Sequence, residues 1–208
     1  MDTLTIKPDE RDSVFELGTS TVPCGRRGPW AVEEFEISER EARFHNGMAS
    51  FRPGGRVFQV RPGRYKRLLH AHRGVVMSNT PMEVMTNRQA LNASRGFVLI
   101  NGLGMGMLLE AVLAKPEVER VRVVEIDEDV IGLVGPHFAN DSRVEIVHAD
   151  AHAYQPPKAE RYDFVWHDIW DNITADNLES MKALTRKYRR PRAANQACWS
   201  RDLIRAIG

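Results

Sequence analysis

Phe97-Val98-Leu99-Ile100-Asn101-Gly102-Leu103-Gly104-Met105-Gly106-Met107 is an apolar run that ends in a glycine-rich turn. Four consecutive apolar residues before a polar position predict a buried central strand. Apolar residues at helical spacing follow as far as Pro116, which predicts a helix after the turn. Glycine lets the backbone adopt positive φ and lets a ligand approach main-chain N–H groups without meeting a Cβ atom. The stretch therefore predicts a strand, a ligand-binding turn and a helix.

The spacing of the glycines narrows the class of ligand. A dinucleotide site needs the pattern G-x-G-x-x-G. The glycines here are Gly102, Gly104 and Gly106, and Met107 stands where a dinucleotide site has its third glycine. This G-x-G-x-G form after a strand resembles motif I of the class I S-adenosylmethionine (SAM)-dependent methyltransferases.

Three later apolar segments each lead to an acidic residue. Glu125 ends the first, Asp150 and Ala151 follow the second, and Asp168 follows the third. A carboxylate about 20 residues beyond a glycine turn can accept hydrogen bonds from both hydroxyls of a ribose, which suits Glu125. Open α/β sheets bind their ligands at the C-terminal ends of the strands. We therefore expect these residues to meet at one site.

Length and composition indicate a globular protein. The 208 residues, 42% of them hydrophobic, have room for one compact α/β domain with an appendage. No apolar run approaches the ~20 residues of a membrane span, and the N-terminus lacks the features of a signal peptide, so we expect a cytoplasmic protein that does not bind membranes. Cys24 and Cys198 form neither a disulfide framework nor a zinc pattern, so no metal site is expected.

Charge is spread unevenly along the chain. The formal net charge is +1, yet residues 181–208 hold eight basic side chains and one acid, Asp202. Such a basic segment is typical of a protein that binds an anionic partner such as nucleic acid, and it is also typical of a solvated helix face. Both interpretations stay open.

The chain divides into three predicted regions. Residues 1–30 show little periodicity and predict a loosely ordered arm, residues 31–94 a small β-rich cap with a linking helix, and residues 95–208 a Rossmann-like domain with a mainly parallel sheet. Turns such as Arg52–Gly55 separate the short strands predicted in the cap. These strands are Phe35–Ile37, Ala49–Phe51, Val57–Val60 and Tyr65–Leu69. The cap is small, so we expect it to pack on the larger domain.

A helix is predicted in the segment that precedes the central strand. Thr80 suits the N-cap and Pro81 the first helical position. Glu83 then stands at the third position, where it would complete a capping box with Thr80. We therefore predict a helix from Pro81 to about Ala93 and a structural role for Glu83.

The ordered motifs from Gly96 to Asp171 are similar to those of the spermidine synthase-like branch of the class I SAM-dependent transferases. This resemblance implies an α/β Rossmann-like SAM-methyltransferase fold and SAM as the cofactor. The residues implied in cofactor binding are Asn101, Gly102, Leu103, Gly104, Gly106, Glu125, Ile126, Asp150 and Ala151.

Two departures from this branch concern the chemistry. Spermidine synthases carry an Asp in the glycine loop that holds the amine of decarboxylated SAM, and this chain has Met105 there. An acid would repel the carboxylate of intact SAM, whereas Met105 leaves backbone N–H groups free to bind it. The chain also has Glu83-Val84 in place of the acid pair of the T-x-x-D-E motif. Both departures favour methyl transfer over aminopropyl transfer.

The part of the site that would hold the methyl acceptor is predicted around Asp168 and Asp171, which reproduce the D-x-x-D of the polyamine enzymes. Asp168 is the candidate base, and Asp171 is either a second catalytic acid or a loop acid. His167 points to the opposite face and is expected to be a hydrogen-bonded core residue, while Trp170 can stack on a planar group.

The sequence therefore predicts a SAM-dependent methyltransferase, with an acceptor that it does not identify. We expect a small-molecule acceptor. Nucleic acid stays open through the basic C-terminal segment, as does a homo-oligomer. The alternatives are an aminopropyltransferase that uses decarboxylated SAM, a nucleic-acid amino-methyltransferase, and a catalytically inactive SAM-binding module.

Overall fold

A computed structural model describes residues 20–51 and 59–207, which form two sheets and the helices packed on them. The strands are β1 (Gly25–Arg27), β2 (Trp30–Ile37), β3 (Gly63–His70), β4 (Gly74–Ser78), β5 (Gly96–Asn101), β6 (Val118–Glu125), β7 (Val144–His148), β8 (Tyr162–His167) and β9 (Ala193–Cys198). The helices are α1 (Glu39–Ser50), α2 (Pro81–Ala93), α3 (Met107–Leu113), α4 (Glu128–Val134), α5 (Asn177–Lys187) and α6 (Arg201–Ile207). In this described part of the chain, no helix is both long enough and apolar enough to span a membrane.

The larger sheet is parallel and has the order β7-β6-β5-β8-β9. The predicted stretch forms its central strand, and Val98 and Leu99 of β5 are completely buried. The order of the strands reverses between β5 and β8, so a crevice opens there at the C-terminal ends of the strands. This is the Rossmann strand order. The predicted α/β fold is confirmed.

The second sheet is antiparallel, with the order β1-β2-β3-β4, and confirms the β-rich N-terminal cap. It packs on the parallel sheet, because Trp30, Val32 and Leu68 belong to the same buried cluster as Val98. The Trp30 indole N–H also donates to the Asp127 carboxylate at 2.7 Å. The cap therefore has no separate core and covers one side of the crevice.

Two features of the N-terminal region differ from the predictions. Gly25–Arg27 form strand β1 and Val22 is fully buried, although residues 1–30 were expected to form a loosely ordered arm. Helix α1 includes Ala49 and Ser50, so the strand predicted at Ala49–Phe51 is wrong. A capping box starts this helix, since Ser38 and Glu41 bond each other's backbone N–H groups. The predicted turn at Arg52–Gly55 and the start of the strand at Val57 lie outside the described residues.

Helix α2 begins and ends where the sequence predicts, with Thr80 at the N-cap, Pro81 at the first position and Ala93 at the end. The predicted capping box is wrong, however. The Thr80 side chain makes no capping hydrogen bond, and Glu83 is only 8% exposed. The side chain of Glu83 lines the crevice instead. Packing of α2 against the parallel sheet therefore places Glu83 in a buried environment.

Candidate functional site

A cavity of about 380 Å³ lies in the crevice, between the ends of the parallel strands and the N-terminal cap. It brings together nine of the eleven residues that the sequence predicts: Gly102, Leu103, Gly104, Glu125, Ile126, Asp150, Ala151, Asp168 and Asp171. The other two do not line the cavity. Asn101 is completely buried beneath it, and Gly106 precedes α3, close to the ring of Phe138.

The glycine turn is closely covered on both sides. Gly102 has a φ of 101° and Gly104 a φ of 53°, a region that L-residues rarely adopt. A Cβ atom on Gly102 would overlap the backbone carbonyl oxygen of Asp168. A Cβ atom on Gly104 would overlap the sulfur of Met77, a residue of β4 in the cap. The positive φ favours glycine at both positions, and at Gly102 the overlap is with a backbone atom that cannot move aside.

Most amides of the turn have partners within the protein, whereas the sequence predicts that they are free. The Leu103 N–H donates to Glu125 Oε2 at 2.8 Å, and the Asp127 N–H donates to Glu125 Oε1 at 2.9 Å. The Met105 N–H donates to Met77 Sδ at 3.1 Å. Because a thioether is a weak acceptor, this last bond is one that a carboxylate can replace.

The Glu125 carboxylate is held in one orientation at the end of β6. Each of its oxygens accepts one backbone N–H and keeps capacity for a second hydrogen bond. Beside it, the apolar side chain of Ile126 is 65% exposed at the lip of the cavity. Asp150 is exposed and accepts the N–H of His152. This edge therefore offers hydrogen-bond acceptors and an apolar surface next to each other.

Two carboxyl groups and an unpartnered amide oxygen line another part of the cavity. Burial raises the pKa of Glu83 to about 8, with a further increase from the negative charge of Asp168. Burial also raises the pKa of Asp168 to about 7. The Oδ1 atom of Asn87, another lining residue, is buried and has no hydrogen-bond partner among the described residues. This arrangement suits a ligand that donates several hydrogen bonds.

Beneath the cavity lies a chain of buried polar side chains. Asn101 Nδ2 donates to His167 Nδ1 at 2.8 Å, and His167 Nε2 lies 3.2 Å from Gln196 Oε1. The amide nitrogen of Gln196 donates to two backbone carbonyls, so His167 must carry its proton on Nε2. Burial lowers the pKa of His167 to about 4. His167 is thus the hydrogen-bonded core histidine that the sequence predicts.

Asp171 lies at the rim of the cavity, where it forms an ion pair with Arg73 at 2.7 Å. Both side chains are nearly half exposed, and the guanidinium of Arg73 also lies over the ring of Trp30. The pair joins the β3–β4 turn of the cap to the loop after β8. Asp171 is therefore tied to the cap, whereas Asp168 makes no ion pair with any described residue.

Several residues of the cavity wall escaped the sequence analysis. Trp30, Arg73, Met77 and Asn87 all precede the glycine turn and reach the cavity through the cap and α2. Trp199 follows β9 and donates its indole N–H to Thr86 at 3.0 Å. Among the cavity residues that precede the glycine turn, only Glu83 was indicated by the sequence, because it lies in a segment that resembles T-x-x-D-E.

We expect Glu83 to make the stability of the protein fall as the pH rises from 4.5 to about 8. The buried carboxyl keeps its proton in the folded chain over this range, while in the unfolded chain it ionises near 4.5. The folded state then binds more protons, so the free energy of unfolding decreases with pH. Glu83→Gln should remove this contribution. Its stability relative to the native chain should increase by roughly 2–4 kcal/mol between pH 5 and pH 8 in urea unfolding. Parallel pH profiles for the two chains would contradict the prediction.

Comparisons with known proteins find similarity to transferases over part of the chain. No family model matches. Over 93 residues the chain is 37% identical to a polyamine aminopropyltransferase from Aeropyrum pernix, and the match covers 41% of this chain and 30% of that protein. The matched segment thus spans less than a third of the length of that relative.

Three solved structures are similar to about half of the chain. A dimethyladenosine transferase from Plasmodium falciparum has 21% identity and a TM-score of 0.39, covering 51% of this chain and 37% of its own. A putative methyltransferase, yhhF, from Escherichia coli has 16% identity and a TM-score of 0.41, covering 52% and 59%. The N-methyltransferase NodS from Bradyrhizobium japonicum, in complex with S-adenosyl-L-homocysteine, has 16% identity and a TM-score of 0.39, covering 50% of each chain.

Proposed function

We propose that the protein is a class I SAM-dependent methyltransferase that transfers a methyl group to an amine. The observation that carries the proposal is the oriented carboxylate of Glu125 beside a positive-φ glycine turn, at the strand-order reversal of a Rossmann sheet. This is where a nucleoside ligand is bound in such sheets. The remaining acceptor capacity of Glu125 matches the two hydroxyls of a ribose.

The other lining residues fit the remaining parts of SAM. The exposed apolar side chain of Ile126 offers a surface for the adenine ring, and Asp150 offers an acceptor for its amino group. The carboxylate of the methionine part can take the Met105 N–H from Met77, since a carboxylate is the stronger acceptor. When bound, SAM supplies a methyl group already activated on a sulfonium sulfur. The protein then has to orient the acceptor and take its proton.

The amine acceptor is inferred from the acceptor atoms of Asn87 and Asp168, which line the same cavity as Glu83. Glu83, Asn87 and Asp168 together present two carboxyl groups and one unpartnered amide oxygen. A neutral primary amine can donate one N–H to Asn87 Oδ1 and the other to the ionised Asp168, whereas an alcohol donates only one hydrogen bond. Asp168, with a pKa of about 7, is the group that receives the proton from the nitrogen.

Aminopropyl transfer from decarboxylated SAM is the second candidate. The two carboxyl groups of Glu83 and Asp168 favour it, as does the partial match to the polyamine aminopropyltransferase. Against it, the Met105 side chain is completely buried in the core, so this position contributes no acid to hold the amine of decarboxylated SAM. A nucleic-acid acceptor and an inactive SAM-binding module remain as further alternatives.

Calorimetric titration separates these candidates without knowledge of the acceptor. We expect intact SAM to bind at least tenfold more tightly than decarboxylated SAM, since the turn offers an N–H donor and no acid. Glu125→Ala should weaken the binding of SAM about 100-fold, because it removes a charged acceptor and the anchor of the Leu103 amide.

Glu128→Ala is the matched control for that titration, since Glu128 begins α4 close to Glu125 but does not line the cavity. It should leave the dissociation constant within about twofold. Tighter binding of decarboxylated SAM would replace methyl transfer by aminopropyl transfer. Binding of SAM without turnover across a panel of primary and secondary amines, measured as release of S-adenosylhomocysteine, would support the inactive module.

A further inference from the structure

Helices α5 and α6 form the sides of a groove that is separate from the cavity. Five basic side chains line it: Lys182, Arg186, Arg189, Arg201 and Arg205. Lys182 and Arg186 are spaced i and i+4 on one face of α5, and Arg189 lies two residues beyond the end of that helix. Arg201 and Arg205 are spaced i and i+4 on α6. The uneven charge of the C-terminal sequence is thus gathered into one place. We call this surface the basic groove.

The charges of the basic groove are poorly compensated within the protein. Lys182 pairs with Glu179, but none of the four arginines forms an ion pair within residues 20–51 and 59–207. The Nε atom of Arg201 is buried and has no hydrogen-bond partner among these residues. Like charges one helical turn apart destabilise a helix. An anionic partner would remove this repulsion.

Helix dipoles account for only part of the arrangement, which includes Arg205 in the last turn of α6, where the dipole favours a positive charge. Arg186 and Lys187 lie in the last turn of α5, where the dipole favours a positive charge. Arg201 is the first residue of α6, where the dipole opposes one, and Lys182 is in the middle of α5. The placement of Arg201 thus runs against local preference, as is expected of a residue kept for a function.

We propose that the basic groove binds the phosphate backbone of a single-stranded nucleic acid. Its floor is formed by Leu178 and by Met181, which is only 1% exposed, with the hydroxyl of Thr185 beside them. No aromatic side chain lines this groove among the described residues, so the proposed binding rests on phosphates that contact the cations of the rims. A flexible strand can follow the recessed groove, whereas a flat lipid surface would reach only the cations on its rims.

The basic groove and the cavity share a wall. Leu178, Met181 and Trp170 belong to one apolar cluster, and Trp170 also lines the cavity. The proposal does not depend on methyl transfer, because binding to the basic groove requires no SAM.

The test is fluorescence anisotropy of a labelled 20-nucleotide oligo(U) RNA with the full chain, between 50 and 200 mM salt. If all five cations contact phosphates, the logarithm of the affinity should fall with the logarithm of the salt concentration with a slope of about −3.5. The double variant Arg186→Glu with Arg205→Glu should bind at least tenfold more weakly. It should also reduce the size of the slope by about 1.4.

Arg40→Glu with Arg64→Glu is the matched control, because it makes the same change of net charge at exposed positions of α1 and β3. We expect it to stay within about twofold of the native affinity. Thermal unfolding verifies that each variant is folded, and the pair Arg186→Gln with Arg205→Gln should weaken binding in the same direction. Equal losses in the two charge-reversal variants would overturn the proposal. So would polyglutamate or phosphatidylserine vesicles that bind the groove as tightly as the RNA.

Discussion

Asp168→Asn is expected to lower kcat by about 10³-fold while leaving the dissociation constant for SAM within about threefold. The carboxylate lies at the end of β8 and lines the acceptor side of the cavity. Removal of a positioned general base costs 10²–10⁴-fold, because assisted proton transfer in the transition state is lost. Asparagine has almost the same shape, so binding of the nucleoside should survive. Release of S-adenosylhomocysteine with an amine that supports turnover measures kcat, and calorimetry measures binding.

The pH dependence of the reaction provides a second measure of the same role. Burial raises the pKa of Asp168 to about 7, and only the ionised form accepts a proton. The rate of the native protein should therefore increase tenfold per pH unit below 7 and level off above it. Glu83 has the higher pKa, about 8, so it is mostly protonated when Asp168 ionises. Glu83→Gln resembles that protonated form and should keep the transition near pH 7.

Asp171→Asn is the matched control for Asp168→Asn. Asp171 belongs to the same D-x-x-D segment, but its carboxylate pairs with Arg73 and is 42% exposed. Exposed pairs of this kind contribute at most about 1 kcal/mol, so we expect kcat to change less than fivefold. Equal losses in the two variants, or a native rate in Asp168→Asn, would show that Asp168 is not the base.

The parallel sheet was predictable because its signals are local. The apolar run of β5, the glycine turn and Glu125 lie within 30 residues of one another. Parallel strands place their C-terminal ends at one edge whatever the details of packing. The strand order itself followed from the resemblance to a known family and from this general rule. One side of the cavity could therefore be assigned from sequence.

The other side of the cavity was not predictable, because it depends on contacts between distant parts of the chain. Met77 reaches the glycine turn only because the antiparallel cap packs across the crevice, 28 residues away from Met105. Glu83 looked like a capping residue, since its spacing from Thr80 is that of a capping box. Packing of α2 on the parallel sheet buries Glu83 instead. No local sequence pattern predicts which face of a helix a neighbouring sheet will cover. Tertiary packing thus overrode the local preference.

Gly102→Ala is expected to abolish detectable binding of SAM, a loss of more than 100-fold, and to lower the free energy of unfolding by about 2–4 kcal/mol. The φ of 101° at Gly102 is accessible almost only to glycine. The added Cβ would also overlap the backbone oxygen of Asp168, and a backbone atom cannot turn aside as the end of a side chain can. The ends of β5 and β8 must then separate, which displaces both the turn and Asp168. Urea unfolding and calorimetric titration measure the two effects.

Two other glycines show whether the effect comes from this position. Gly47→Ala lies within α1 with no atom near the added Cβ, so it should keep binding unchanged and stabilise the protein by about 0.5–1 kcal/mol. Gly104→Ala meets the flexible end of Met77, so Met77→Ala in the same chain should recover part of its loss. If Gly102→Ala does not fold, the recovery of SAM binding by Met77→Ala in the Gly104→Ala chain still tests the role of the glycine turn. Native affinity in both Gly102→Ala and Gly104→Ala would mean that SAM does not bind against the glycine turn.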